Sequence, residues 1–177
     1  MRFFSLLCAV LVASTITFAQ SAGTVFVVRH AEKASDAPDT PLSDVGRARA
    51  ECLARTLKDA NITAVLTTQY VRTKQTAEPT ARQSHAHQES FDAKASAQII
   101  TAAKEAAKNG NVLIVGHSNT VPQLMTSFGT PAVTIPDTSY DQLFIFPVAS
   151  PKQLTVVHYC PALPTDTMQH APNSMAK

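Results

Sequence analysis

Thr24-Val25-Phe26-Val27-Val28-Arg29-His30-Ala31-Glu32-Lys33 is the stretch on which the fold turns. Five residues that favour strands run directly into a cation and an imidazole. An apolar run this short and this rich in β-branched residues reads as a strand buried on both faces. Arg29 and His30 then stand at its carboxyl end, the edge at which open α/β sheets bind ligands. Such a pair on its own equally suits a solvated strand end, so the reading rests on what the other strands carry.

Downstream, Ser43 is placed to cap a helix and Asp44 to meet its positive end. Val45, Arg49/Ala50, Leu53/Ala54 and Leu57 recur at helical spacing, which predicts a helix running to about Ala60. Ile62 to Thr68 is a second buried strand. A helix carrying Thr76, Ala77 and Ala81 follows, interrupted near Pro79. His85 to Phe91 is a polar third strand nearer an edge, and Ala93 to Lys108 an alanine-rich helix with Ile99, Ile100 and Ala103 inward. Asn111 to Val115 is the next buried strand and ends in Gly116-His117-Ser118-Asn119-Thr120. Pro122 fits the first turn of a helix ending at Gly129. Tyr140 to Phe146 and Leu154 to Tyr159 are two final strands. Alternating strands and helices predict a three-layer α/β/α sandwich around a mostly parallel central sheet.

The 177 residues, 45% hydrophobic, suit one compact domain. The net charge of +2 is spread along the chain, with no basic stripe for a nucleic acid. Residues 1–19 read as a secretory signal: Met1-Arg2, an uncharged apolar stretch from Phe3 to Phe18, and small residues before a cleavage point after Ala19. An uncleaved anchor is the alternative, and Cys8 follows Leu7 too early for a lipoprotein site. The expected product is exported, periplasmic or secreted, and free of the membrane once cleaved. Residues 20–160 form the domain and 161–177 a disordered tail. Cys52 and Cys160 can pair in such a compartment, although sequence does not show that they meet. No cysteine spacing suits a metal.

Three strands therefore end in related residues: Arg29-His30 after the first, Arg72 shortly after the second, His117 after the fourth. Parallel strands would bring all of them to one edge. Two arginines and two histidines repel one another unless an anion sits between them, and a phosphoryl group accepts guanidinium forks.

These residues carry a resemblance. Arg29-His30-Ala31 is similar to the Arg-His-Gly signature of the histidine phosphatase superfamily, the phosphoglycerate mutase-like fold. Leu42-Ser43-x-x-Gly46 is similar to its Leu-Thr-x-x-Gly motif, Arg72 with Gln75-Thr76-Ala77 to its second arginine, and Val115-Gly116-His117-Ser118 to its second histidine motif. The likeness spans about Thr24 to Tyr159 and has the character of a short branch-1 member. It implies that His30 is a nucleophile forming a phosphohistidine, neutral at the attacking nitrogen with the other nitrogen given to a backbone carbonyl. Arg29, Arg72 and His117 would hold phosphoryl oxygens. No metal or other cofactor is called for, because the positive charge is built in. The implied partners are a phosphorylated small molecule or phosphoprotein and phosphate ion. A mutase is disfavoured, since the chain lacks room for the insertions that shield a phosphoenzyme from water.

Two positions depart from the pattern. Ala31 stands where the family has glycine. The family's general acid has no obvious counterpart among Glu78, Glu89, Asp92 and Glu105. Asp92, after the third strand, is the favoured candidate, and it equally suits a cap for the next helix. Without an acid, the substrates would be phosphoramidates, acyl phosphates or pyrophosphates with good leaving groups. A non-catalytic phosphate-binding module is the remaining alternative. Glu32 is a candidate to order Arg29 or Arg72, and Lys33 to meet a second anionic group. Ser118 and Asn119 suit phosphate donors or turn caps equally, the His85/His87 pair reads as surface rather than metal-binding, and His158 as packed.

Overall fold

The computed structural model describes residues 22–161, and the opening apolar run is its central strand, β1 (Thr24–Arg29). The elements that follow are α1 (Asp44–Thr56), β2 (Ile62–Thr68), α2 (Val71–Ser84), β3 (His87–Phe91), α3 (Ser96–Ala106), β4 (Asn111–Gly116), α4 (Thr120–Phe128), β5 (Gln142–Pro147) and β6 (Thr155–His158). They build one six-stranded sheet in the order β3-β2-β4-β1-β5-β6. The first four strands in that order are parallel, and β5 and β6 add on antiparallel. The three-layer, mostly parallel sandwich is thus borne out, with a mixed edge.

Side chains of β1 alternate as a doubly covered strand requires. Val25 and Val27 enter a core shared with Ile99 and Ala103 of α3 and Val121 and Met125 of α4. Val28 enters the opposite core, with Leu53 of α1 and Ala77 and Ala81 of α2. The chain moves outward through α1 and α2, then returns through α3 to insert β4 between β2 and β1. Right-handed crossovers that reverse direction must change face, so the helices fall in pairs on the two sides.

Several expected boundaries shift for local reasons. α1 ends at Thr56 and not near Ala60, because Leu57 caps it and the chain turns there. α2 runs unbroken through Pro79, which is buried in the helix interior. One lost N–H does not stop a helix whose flanking Ala77 and Ala81 are packed in the core. α3 starts at Ser96, three residues late, because Asp92 organises a turn: its carboxylate accepts the Lys94 N–H and its carbonyl the Ala95 N–H. His158 is exposed on the edge strand and pairs with Asp141 at 2.9 Å; it is not packed. Cys52 and Cys160 do form a disulfide, with Cα atoms 6.5 Å apart, tying the end of the last strand to α1. Residues 1–19, Cys8 among them, and 162–177 of the expected tail lie outside the described residues.

Gly46 shows why the helix start carries a glycine. A Cβ there would stand 2.1 Å from the Glu32 carbonyl oxygen, which also accepts the Ser43 N–H at 2.9 Å. Ala31, in place of glycine, is fully buried against Leu42 and Ala50, so its methyl group is core material. Gly46→Ala should therefore push α1 off the segment after His30. A loss of about 1–3 kcal/mol is expected in denaturant titration, the usual scale for overpacking; unchanged stability would show that the contact yields freely.

Candidate active site

β1 and β4 pair in the register Arg29 to Gly116, so the residues one step beyond, His30 and His117, leave the sheet side by side. The His30 N–H donates to the Gly116 carbonyl at 2.9 Å, and the two imidazoles meet edge to face with centroids 5.2 Å apart. Both are buried, at 5% and 6% exposure. Arg72, in the first turn of α2, reaches His117 Nδ1 at 3.5 Å. Arg29, His30, Arg72 and His117 all line one cavity of about 710 Å³. The four side chains read from distant motifs are brought together.

His30 is locked in one tautomer. Its Nδ1 lies 2.8 Å from the Ala31 carbonyl, which only accepts, so Nδ1 carries the hydrogen and Nε2 keeps its lone pair. His117 has the reverse arrangement. The Arg72 guanidinium only donates, so Nδ1 accepts from it and Nε2–H donates to the Thr68 hydroxyl at 3.0 Å. Thr68 passes its hydrogen to Thr73 Oγ1 at 3.0 Å, and Thr73 donates to the Tyr70 carbonyl at 2.8 Å. This chain of buried threonines orients the second histidine, and no local motif announced it.

Burial holds His30 down at about 3, although its bond to Ala31 opposes the shift; His117, Arg72 and Arg29 add to the lowering. Burial likewise holds His117 at about 4, helped by Arg72 and Arg29. Both rings are neutral at pH 7.

The arginines are fixed by the protein on one side of each fork. Arg29 Nη1 donates to the carbonyls of Pro136, Asp137 and Ser139 at 3.1, 2.8 and 3.1 Å, and Nη2 to the Tyr140 hydroxyl at 3.3 Å. Its guanidinium carbon sits 4.0 Å from the Tyr140 ring centroid. Arg72 Nη1 donates to the Pro38 carbonyl at 2.9 Å, and its guanidinium lies 4.4 Å from the Tyr70 ring centroid. The Nε of each arginine is buried without a partner among the described residues. A guanidinium has five N–H donors, so each arginine keeps at least one Nη hydrogen for an anion.

The supporting motifs have mechanical roles. The Thr76 hydroxyl accepts the Ala31 N–H at 2.9 Å, Gln75 Oε1 accepts the Leu42 N–H at 2.8 Å, and Asp39 caps the start of α2 through the Val71 N–H. Glu32 does not order Arg29 or Arg72, as expected from sequence. It takes a fork from Arg49, at 2.8 and 2.9 Å from Nε and 2.6 Å from Nη2, and Arg49 also donates to the Cys160 carbonyl. Lys33 is on the cavity wall, paired with Asp36 at 2.7 Å. Ser118 and Asn119 line the wall; Asn119 opens α4 without a side-chain cap bond.

The carboxyl candidates stay outside. Asp92 is exposed and spent on its own turn, while its neighbours Ala93 and Lys94 reach the wall. Glu78 pairs with Arg82, Glu105 with Lys108, and Glu89 is exposed on the edge strand. His85 caps α2 in the left-handed region at φ 51°, and no cluster of three or more metal-ligating side chains occurs among the described residues. Sequence reasoning missed Tyr70 and Tyr140, which lie under the two arginines. Neither sits in a motif; only the fold aligns them.

Residues 25–93 match the family model described as "Histidine phosphatase superfamily (branch 1)". No curated protein matches the chain. Among solved structures, the protein histidine phosphatase SixA complexed with tungstate is 21% identical, with 77% of this chain and 95% of that chain covered at a TM-score of 0.56. SixA of Agrobacterium tumefaciens is 19% identical, with 78% and 97% covered and a TM-score of 0.56. Bacillus stearothermophilus YhfR is 18% identical, with 70% and 90% covered and a TM-score of 0.57. At such identities the likeness to these structures is one of fold. Match and fold together bear out the resemblance carried by the four motifs, which is to the histidine phosphatase superfamily, branch 1.

Proposed function

We propose that the protein is a phosphatase that hydrolyses a phosphorylated small molecule or phosphoprotein through a phosphohistidine on His30. The observation that carries this reading is the locked tautomer: an imidazole lone pair on Nε2, in a cavity lined by two guanidiniums with uncommitted donors. In the first step Nε2 forms a bond to phosphorus as the bond to the leaving group breaks. Nδ1–H, held on the Ala31 carbonyl, spreads the charge that develops on the ring. Arg29 and Arg72 turn guanidinium charge toward the phosphoryl oxygens, and preorganised charge of this kind carries a large share of the barrier reduction. His117, neutral and with its Nε2–H on Thr68, orients Arg72 and donates through Nδ1 only once an anion draws a proton to it. Water then attacks phosphorus and releases phosphate. A mere binder of anions has no use for so constrained a nucleophile. One structural relative, a protein histidine phosphatase, was solved with tungstate, a tetrahedral oxyanion of the kind this cavity suits.

The position of the carboxylates favours donors with good leaving groups. Asp92 is held in a turn outside the wall, so we assign it no acid role. Phosphoramidates, acyl phosphates and pyrophosphates fit better than alkyl phosphates in that respect. Export belongs to the same proposal: the Cys52–Cys160 disulfide agrees with an oxidising compartment.

His30→Ala should abolish the acid-quenched, ³²P-labelled phosphoenzyme and lower turnover by several orders of magnitude. Arg72→Ala should raise the barrier by about 3 kcal/mol, on the scale of one oxyanion donor. Asp92→Asn should not show the roughly 100-fold or larger loss that follows removal of a general acid. An unchanged phosphoenzyme in the His30 variant ends the mechanism.

The buried imidazoles also set a pH dependence. Their folded pKa values lie below the ordinary 6.5, so the unfolded chain takes up protons first as pH falls. Their contribution to stability is full above 6.5 and is lost as pH falls toward 4 and then 3. A dianion between the rings favours their charged forms and opposes that loss. Sulfate, which stays a dianion across this range, should raise the melting temperature more at pH 5 than at pH 7.5. Equal shifts at both values would show that the histidines do not face the anion.

A further inference from the structure

One hydroxyl beside His30 has a hydrogen to give and a fixed place from which to give it. Tyr140 is half-buried on the cavity wall, its ring centroid 6.3 Å from that of His30. Its oxygen accepts from Arg29 Nη2 at 3.3 Å, and it has no acceptor of its own among the described residues. A phenol that accepts through oxygen keeps its O–H free to donate. Its placement is held from several sides. The guanidinium of Arg29 packs on the ring at 4.0 Å, and the Tyr140 carbonyl accepts the hydroxyl of Tyr159 at 3.1 Å. Tyr159 is 3% exposed, and burial raises its pKa, which keeps it a donor. Tyr70 lies in a similar way under Arg72, but its hydroxyl makes no hydrogen bond with that guanidinium, whose bonds go to Pro38 and His117. The two tyrosines are therefore not equivalent.

We propose that Tyr140 is the catalytic proton donor to the leaving group, in the place the family gives to a carboxylic acid. The inference rests on the phosphohistidine reading above and adds a residue to it. As the His30 Nε2–P bond forms and the P–O bond to the leaving group breaks, the phenol proton moves to the departing oxygen. The alcohol leaves neutral, and the negative charge on the Tyr140 oxygen is held by the Arg29 guanidinium. In the second step that phenolate takes a proton from the attacking water as the oxygen–phosphorus bond forms. The N–P bond breaks, phosphate leaves and Tyr140 is restored. Atoms and charge balance to one ester and one water giving one alcohol and one phosphate, with no other reactant.

The test is a leaving-group series: aryl phosphates of graded phenol acidity plus one alkyl phosphate, turned over by wild type, Tyr140→Phe and Tyr70→Phe. The Phe ring keeps the stacking on Arg29, so the change is confined to one oxygen. For Tyr140→Phe the loss in kcat/KM should be about twofold on the most acidic phenol and grow to about 100-fold or more on the alkyl ester, the range of general acid catalysis. Decay of the trapped phosphoenzyme should slow in the same variant, and Tyr70→Phe should keep the wild-type slope. A loss of equal size across the series would overturn the proposal, since it marks a contact to a non-transferred phosphoryl oxygen or to Arg29. So would an unchanged slope, or a slope that steepens equally in Tyr70→Phe. These outcomes leave the phosphatase reading standing. Wild type that forms no phosphoenzyme from any ester, acyl phosphate or phosphoramidate would overturn both.

Discussion

A single backbone hydrogen bond, from the His30 N–H to the Gly116 carbonyl, fixes the chemistry of this molecule. It is the last rung of the β1–β4 ladder, and it sets two imidazoles from opposite halves of the chain side by side. A one-residue slip of that register would turn Arg29 toward the partner histidine and reverse the faces of Val27 and Val28. The sheet resists such a slip because β1 is buried on both faces, with Val25, Val27 and Val28 all fully covered. Packing of aliphatic side chains far from any anion is therefore what positions the nucleophile. The site inherits its precision from the core.

A second layer of constraint fixes the loop after His30. Ala31 is held by Thr76, Leu42 by Gln75, and Glu32 by the fork of Arg49. Arg49 also grips the carbonyl of Cys160, whose sulfur is bonded to Cys52 on the same helix as Arg49. The disulfide thus closes a frame around the nucleophile segment. On a chain-entropy account a link across a loop of this length contributes about 4–5 kcal/mol. Its carbonyl contact with Arg49 gives it a bearing on the site that its entropy alone does not.

The parts legible in the sequence were those written in local pattern. Apolar runs named β1, β2 and β4, and residues directly after them named Arg29, His30 and His117. Arg72 was legible because it follows β2 at the start of a helix. What escaped was set by contacts between distant segments. Pro79 reads as a helix breaker, but burial beside Ala77 and Ala81 outweighs one missing donor. Glu32 reads as a partner for Arg29 or Arg72, yet Arg49, seventeen positions on, is the cation it meets in space. Tyr140 lies after a Pro-rich loop with no periodic signal, and three carbonyls of that loop are what hold Arg29. Asp92 had the right position along the chain, and an acid in a tight turn prefers the backbone N–H groups nearest to it.

The electrostatics of the cavity follow from how the protein spends its donors. Carbonyl oxygens, not carboxylates, satisfy the inner side of both arginines: Pro136, Asp137 and Ser139 for one, Pro38 for the other. A carboxylate in those places would cancel the charge, whereas a carbonyl orients a guanidinium and leaves its full positive charge to act. The charge of Arg29 and of Arg72 then acts on the cavity that both side chains line. Two guanidiniums without a carboxylate partner, beside two neutral imidazoles, form a pocket whose own stability improves when a tetrahedral anion enters. An added cation would be repelled by the same two charges, and a neutral acceptor would satisfy a donor without offsetting them. Selectivity for oxyanions is therefore built into the unfavourable terms of the folded state, before any substrate contact is counted.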